Sequence, residues 1–114
     1  MEIESYRFGH MRLDGKDYDH DLIVLQNRII TPWWRSERHS LCMEDLKDVI
    51  SNKPEILIIG TGAYGVLKVP EEILSTIQKL NIRCLSMITF KAYKLFNEYN
   101  RERKNVVGAF HLTC

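Results

Sequence analysis

The sequence has no surplus of either charge, no long apolar run, and few of the residues that staple or break a chain. With 16 Lys+Arg against 15 Asp+Glu, its formal net charge is +1 and its pI is near 7.7. Non-specific nucleic-acid binding rests on phosphate neutralisation, so this balance excludes broad DNA or RNA coating. No apolar stretch approaches the ~20 residues of a membrane span, which predicts no membrane partner. Met1-Glu2-Ile3-Glu4 carries acid where a signal or transit peptide carries base. Cys42, Cys84 and Cys114 are odd in number and share no C-x-x-C spacing. They read as free thiols of a reducing compartment, hence a cytoplasmic protein; His39, His111 and Cys114 are too scattered, with no supporting spacing, for a metal site. The chain is also short, at 114 residues. A chain of that size buries roughly two-thirds of its unfolded surface, so it folds as one domain, 1–114, without a metal or disulfide.

What is present is a change of pattern along the chain. Residues 1–31 read as β structure: Ile3, Ser5 and Arg7 alternate with Glu4, Tyr6 and Phe8, and Asp14-Gly15 is a two-residue hairpin turn. Leu22-Ile23-Val24-Leu25 is a short apolar run, with Asn27-Arg28 as a further turn. Thr31 to Ser40 has no period and reads as a loop. From 41 to 114 helix and strand alternate. Met43, Leu46, Val49 and Ile50 mark a helical face with Ser40 as its N-cap, and Glu55 to Gly60 is apolar enough for an interior strand. Pro70-Glu71-Glu72 starts a second helix with a stripe of Ile73, Leu74, Ile77 and Leu80, ended by Asn81. Ile82 to Met87 is the next strand, Thr89 caps a third helix with inner residues Ala92, Leu95, Phe96 and Tyr99, and Val106 to Leu112 is the last strand. Strands joined through helices predict parallel pairing, an α/β fold.

Three constellations bear on chemistry. Gly60-Thr61-Gly62-Ala63-Tyr64-Gly65 is a literal G-x-G-x-x-G after a strand. A dinucleotide fingerprint also needs a helix starting at the glycines and an acid on the following strand; here the helix starts at Pro70 and the strand 82–87 has no Asp or Glu, so no nucleotide cofactor is expected. The bland reading is a turn with positive φ at two or three positions. The functional one is an anion or carboxylate nest of the Thr61, Gly62 and Gly65 amides at the C-terminal end of the strand, with His39 and His111 as polar partners. Cys114 beside His111 and Thr113 suggests a nucleophile, but alternation turns His111 and Thr113 to one face and Cys114 to the other, so no catalytic residue is assigned. Trp33-Trp34-Arg35 concentrates hot-spot residue types. One tryptophan is expected to cover a sheet edge, and the other, with Arg35, to meet a protein partner or a second copy of the chain. His10 and His20 read as surface residues.

Several separated segments resemble one family. Phe8-Gly9 before the Asp14-Gly15 hairpin, His39, Leu57 to Gly65 with Leu67-Lys68-Val69-Pro70, Tyr99-Asn100, and the ending Gly108-Ala109-Phe110-His111-Leu112-Thr113-Cys114 carry the likeness. The chain is similar to the small-protein family that includes mitochondrial complex I assembly factor three, the adipogenesis-associated domain protein and archaeal and bacterial hypothetical proteins. That resemblance implies a three-layer α/β fold, a mixed central sheet with helices and a small N-terminal β-hairpin layer. It implies no established enzyme activity and points to binding and assembly. The expected function is therefore a non-enzymatic interaction domain, and the alternative is a small-ligand or anion-binding protein built on the glycine loop.

Overall fold

A computed structural model describes residues 1–114 and builds them into two sheets. Strands β1 (Ile3–Arg7), β2 (His10–Leu13) and β3 (Lys16–Tyr18) form a small antiparallel sheet in that order. Asp14 and Gly15 turn it at φ 48° and 78°, the left-handed pair that a two-residue hairpin requires. The larger sheet holds β4 (Leu22–Val24), β5 (Ile29–Ile30), β6 (Ile56–Thr61), β7 (Arg83–Met87) and β8 (Val106–His111) in the order β5-β4-β8-β6-β7. β6 pairs in parallel with β7 and β8, and β4 pairs antiparallel with β5 and β8, so the sheet is mixed.

The apolar run of β6 follows from burial on both faces. Leu57 and Ile59 point with Val107 and Ala109 of β8 into a core closed by Trp33, the 3-10 turn Met43–Leu46, α1 (Lys47–Asn52) and α2 (Glu71–Lys79). Ile56 and Ile58 point with Val106 and Phe110 into a second core closed by α3 (Thr89–Arg101) and the small sheet. Three layers result, as the resemblance implies. Pro70 caps α2, Glu71 and Glu72 open it, and Asn81 lies just beyond it at φ 63°; Ile73 and Ile77 are its buried stripe with Leu74 half-buried, but Leu80, expected in the stripe, follows the last helical residue and is exposed.

Two expected caps are placed otherwise. Ser40 does not start a helix: it forms a parallel bridge with Lys68, and the helical chain begins after Cys42, whose N–H is taken at 2.9 Å by the Asp45 carboxylate. Thr89 does not cap α3 either. Its buried hydroxyl faces the sheet, donating to His111 O (2.6 Å) and accepting from Gly62 N–H (2.9 Å). At Thr89 long-range partners take the hydroxyl that local capping would have used, and at Ser40 the flanking backbone of His39 and Leu41 is bonded to Lys68 instead of opening a helix.

One side chain ties the small sheet to α3. Asn97, buried on α3, accepts the Ile3 N–H at 3.0 Å and donates to Ile3 O at 2.8 Å, so its amide stands where a neighbouring strand would. Asn97→Ala leaves a buried N–H and a buried C=O unmatched and should lower unfolding free energy by about 1–3 kcal/mol per orphaned group. Urea midpoints of the variant and the parent protein check this, and equal midpoints would contradict it.

Candidate functional site

The chain places a carboxylate, a guanidinium and an imidazole together at the end of β8. Asp21 stands just before β4, Arg35 lies in the loop that follows β5, and His111 is the last residue of β8. Asp21 Oδ2 accepts from Arg35 Nη2 (2.8 Å) and from His111 Nδ1 (2.7 Å), while Oδ1 accepts the Leu112 N–H (2.7 Å). An ionised carboxylate can only accept, so the His111 proton facing it sits on Nδ1 and the ring's open position is Nε2. The 3.1 Å approach of Arg35 Nη2 to His111 Nδ1 is then the meeting of two donors on one shared acceptor.

Both donors are inside the protein. The Arg35 and His111 side chains are 6% and 5% exposed, and Asp21 is 17% exposed. Burial pushes the Asp21 carboxyl up, but the hydrogen bonds from His111 and Leu112, the His111 charge and the Arg35 hydrogen bond outweigh it and hold the group below the usual carboxylate range. Arg35 also lies over the Trp33 ring, its guanidinium carbon 4.7 Å from the centroid, and Trp33 Nε1 donates to Asp45 O. Three nitrogens of this group, Arg35 Nε, Arg35 Nη1 and His111 Nε2, are buried without a partner.

The glycine loop is closed by the chain itself. Gly62 and Gly65 have φ of 102° and 71°, so the turn reading holds at two positions. Gly62 N–H goes to Thr89, Ala63 N–H to Thr113 O (2.7 Å) and Val66 N–H to Cys114 O (3.0 Å). A Cβ on Gly62 would lie 2.6 Å from Cys114 O and 2.7 Å from His111 Cδ2, so only glycine admits the last residues here. Thr61 is buried and Gly65 is exposed. The loop therefore positions His111 rather than opening a row of amides to solvent.

His39 joins the same end of the sheet, its ring 6.4 Å from that of His111, edge on. Its Nε2 is 4.0 Å from Cys114 Sγ, a contact at the limit for sulfur. No three His, Cys, Asp or Glu side chains converge in a metal-binding arrangement. All three cysteines are free, and burial pushes the Cys84 thiol up to about 11. Of the loop residues expected to meet a partner, Trp33 and Arg35 lie inside, while Trp34 is 81% exposed.

A cavity of about 480 Å³ opens between Trp34, Arg35 and Arg38 on one side and His111 and Thr113 on the other, with Asp19 and Asp21 at its wall. His111 and Thr113 share this wall as strand alternation predicts, and Cys114 is not part of it. Sequence reasoning named His111 and Arg35 but not Asp21, which is one of two aspartates around His20 with no local pattern to set it apart.

Comparison with known proteins adds relatives but no activity. The model of a family described as "Protein of unknown function (DUF498/DUF598)" matches residues 3–111. A conserved hypothetical protein from Pyrococcus horikoshii is 29% identical, with all of both chains covered and a TM-score of 0.81. The protein MT938 is 25% identical over 99% of this chain and 98% of its own, with a TM-score of 0.83. A Bartonella henselae protein described as an outer membrane protein shares the fold at 24% identity over 98% and 94% of the two chains, with a TM-score of 0.82. No helix of the present chain is long and apolar enough to cross a membrane.

The buried carboxylate generates a pH dependence. Asp21 titrates lower in the folded protein than the about 3.9 of an unfolded aspartate, so its contribution to stability is complete above that value and is lost as pH falls through the depressed folded value. Urea unfolding between pH 7 and pH 3 should show Asp21→Asn to be less stable at neutrality by about 3 kcal/mol, because Arg35 loses its counter-charge. The gap should narrow as pH falls below about 4. A constant gap would show that Asp21 is not the titrating group.

Proposed function

The chain belongs to the DUF498/DUF598 family, whose members share a fold without an assigned activity, and from that starting point we propose that it is a protein-binding module. The observation that carries this reading is Trp34, 81% exposed and fixed between two neighbours, Trp33 and Arg35, that are buried. Its buried neighbours fix the backbone that presents it, and Trp is prominent among interface hot spots. An exposed aromatic pair elsewhere supports it: Phe8 (56% exposed) and Tyr64 (75%) have ring centroids 6.1 Å apart. Their supports, the β1–β2 turn and the glycine loop, are both bonded to the segment Leu112 to Cys114. The implied assembly role of the resembling proteins fits the same reading. The partner is a protein or a second copy of this chain, and the reading places it in a reducing cytoplasm, in keeping with three free thiols.

Trp34→Ala should leave unfolding free energy within about 0.5 kcal/mol of the parent, since the ring packs on little. Arg35 is left intact, because its removal would disturb the buried cluster. The immobilised variant should fail to retain partners that the parent captures from the native source, and sedimentation velocity should show whether a parent dimer becomes a monomer. A variant that keeps both the partner set and the oligomeric state of the parent would exclude Trp34 as the contact.

A further inference from the structure

We infer that the cavity beside Trp34 is a binding site for a small organic carboxylate carrying an apolar group. The inference starts from hydrogen-bond accounting. Asp21 satisfies one corner of Arg35 and one nitrogen of His111, and its second oxygen is taken by the Leu112 amide. What remains is an excess of donors: Arg35 Nε–H and Nη1–H₂ are buried with no acceptor. Buried polar groups left without partners are uncommon in folded proteins and costly, so each calls for a partner that the chain itself does not supply. Both side chains that own the unmatched atoms form the wall of the same cavity.

Unmatched donors, not net charge, select the anion. The wall carries Arg35 and Arg38 against Asp19 and Asp21, a balanced set. With no surplus of positive charge it disfavours a dianion such as phosphate, while the spare Arg35 N–H groups match the oxygens of a single carboxylate. Size selects the rest of the ligand. A cavity of about 480 Å³ lies in the range used for small organic molecules and is too large for a bare oxoanion to fill. Pro32 and the exposed Trp34 supply an apolar side for a hydrophobic or aromatic body, while Arg35 holds the charged end. Arg35 itself is preorganised: it is fixed by Asp21, stacked on Trp33, and tied at 3.4 Å to Arg38 O, which sets the backbone beside the cavity mouth.

The same carboxylate chemistry can arrive as a free acid or at the end of a peptide, and the test separates them. The full-length chain, labelled with nitrogen-15, is titrated with phenylacetate, acetate, inorganic phosphate, 2-phenylethanol and a short peptide ending in phenylalanine. Phenylacetate or the peptide should give saturable shifts of the Trp34 indole and the Leu112 and Thr113 amides, at least about tenfold tighter than acetate or phosphate, a difference of about 1.4 kcal/mol. Preference between those two identifies the source. 2-Phenylethanol, which lacks the charge, should give no saturable change. Arg38→Ala, at the wall and outside the buried ion cluster, should weaken binding about tenfold with the fold intact. Lys79→Ala, at the end of α2, should not weaken it. Absence of saturable shifts with both carboxylates, equal binding of the alcohol, or no effect of Arg38→Ala would each overturn the inference. The outcome is independent of the partner reading: Trp34→Ala can abolish partner capture whether or not a carboxylate binds.

Discussion

One carboxylate holds together parts of the chain that are far apart in sequence. Asp21 precedes β4, and through its two oxygens it fixes the side chain of Arg35 in the long loop, the ring of His111 at the end of β8 and the amide of Leu112 beyond it. An ion cluster of this kind is stabilising only while every member is present. Desolvation of the charges is offset by their mutual attraction and hydrogen bonds, and loss of one member leaves another buried and uncompensated. The loop from Thr31 to Ser40 has almost no regular structure of its own. Its course depends on Arg35 being drawn inward by Asp21 and on Trp33 being covered by that same guanidinium. Trp34 is outside because its neighbours are inside.

The segment after β8 transmits this constraint to the rest of the molecule. Leu112 O accepts from Gly9 N–H (2.8 Å) and from the Tyr6 hydroxyl (2.9 Å), which ties the small sheet to the end of the large one. Burial, with the Asp21 and Tyr64 charges adding to it, pushes the Tyr6 hydroxyl up to about 12, so it remains a donor across the physiological range. Thr113 and Cys114 then accept from the glycine loop, and Thr89 bridges that loop to His111. The β1–β2 turn, the glycine loop, the start of α3 and the Arg35 loop thus share one rim. A ligand or partner that moved the last three residues would be felt at each of them.

How much of this was legible depends on how local the signal is. The Asp14-Gly15 hairpin, the apolar run of β6 and the Ile73 and Ile77 positions of α2 are set by neighbours within a few residues, and they stand where sequence pattern puts them. The caps expected at Ser40 and Thr89 fail for reasons no local window contains: the backbone on either side of Ser40 is bonded to Lys68, and the Thr89 hydroxyl is taken by Gly62 and His111. The glycine motif was legible as a turn, but not as a surface against which the chain packs its own last residues. Arg35 reads as exposed in sequence because arginine is rarely buried unpaired. Its burial follows from Asp21, fourteen residues earlier, and Asp21 looks like any other aspartate between a hairpin and a strand.

The position of the site follows from the same closure. Open α/β sheets bind ligands beyond the carboxyl ends of their parallel strands. Here that place, above β6, is filled by the chain's own continuation, with Ala63 and Val66 amides bonded to Thr113 and Cys114. The unfilled space lies one step along the sheet, toward the antiparallel side, where β8 ends against β4 and Asp21 brings Arg35 across. A nucleophile would have to reach that space to act there. Cys114 lies near His39 and is not part of the wall, which carries the Arg35 and Arg38 guanidinium groups, the Asp19 and Asp21 carboxylates and the His111 ring. Fixed donors beside an exposed tryptophan are the groups that the proposed binding reading calls on, one for charge and one for shape.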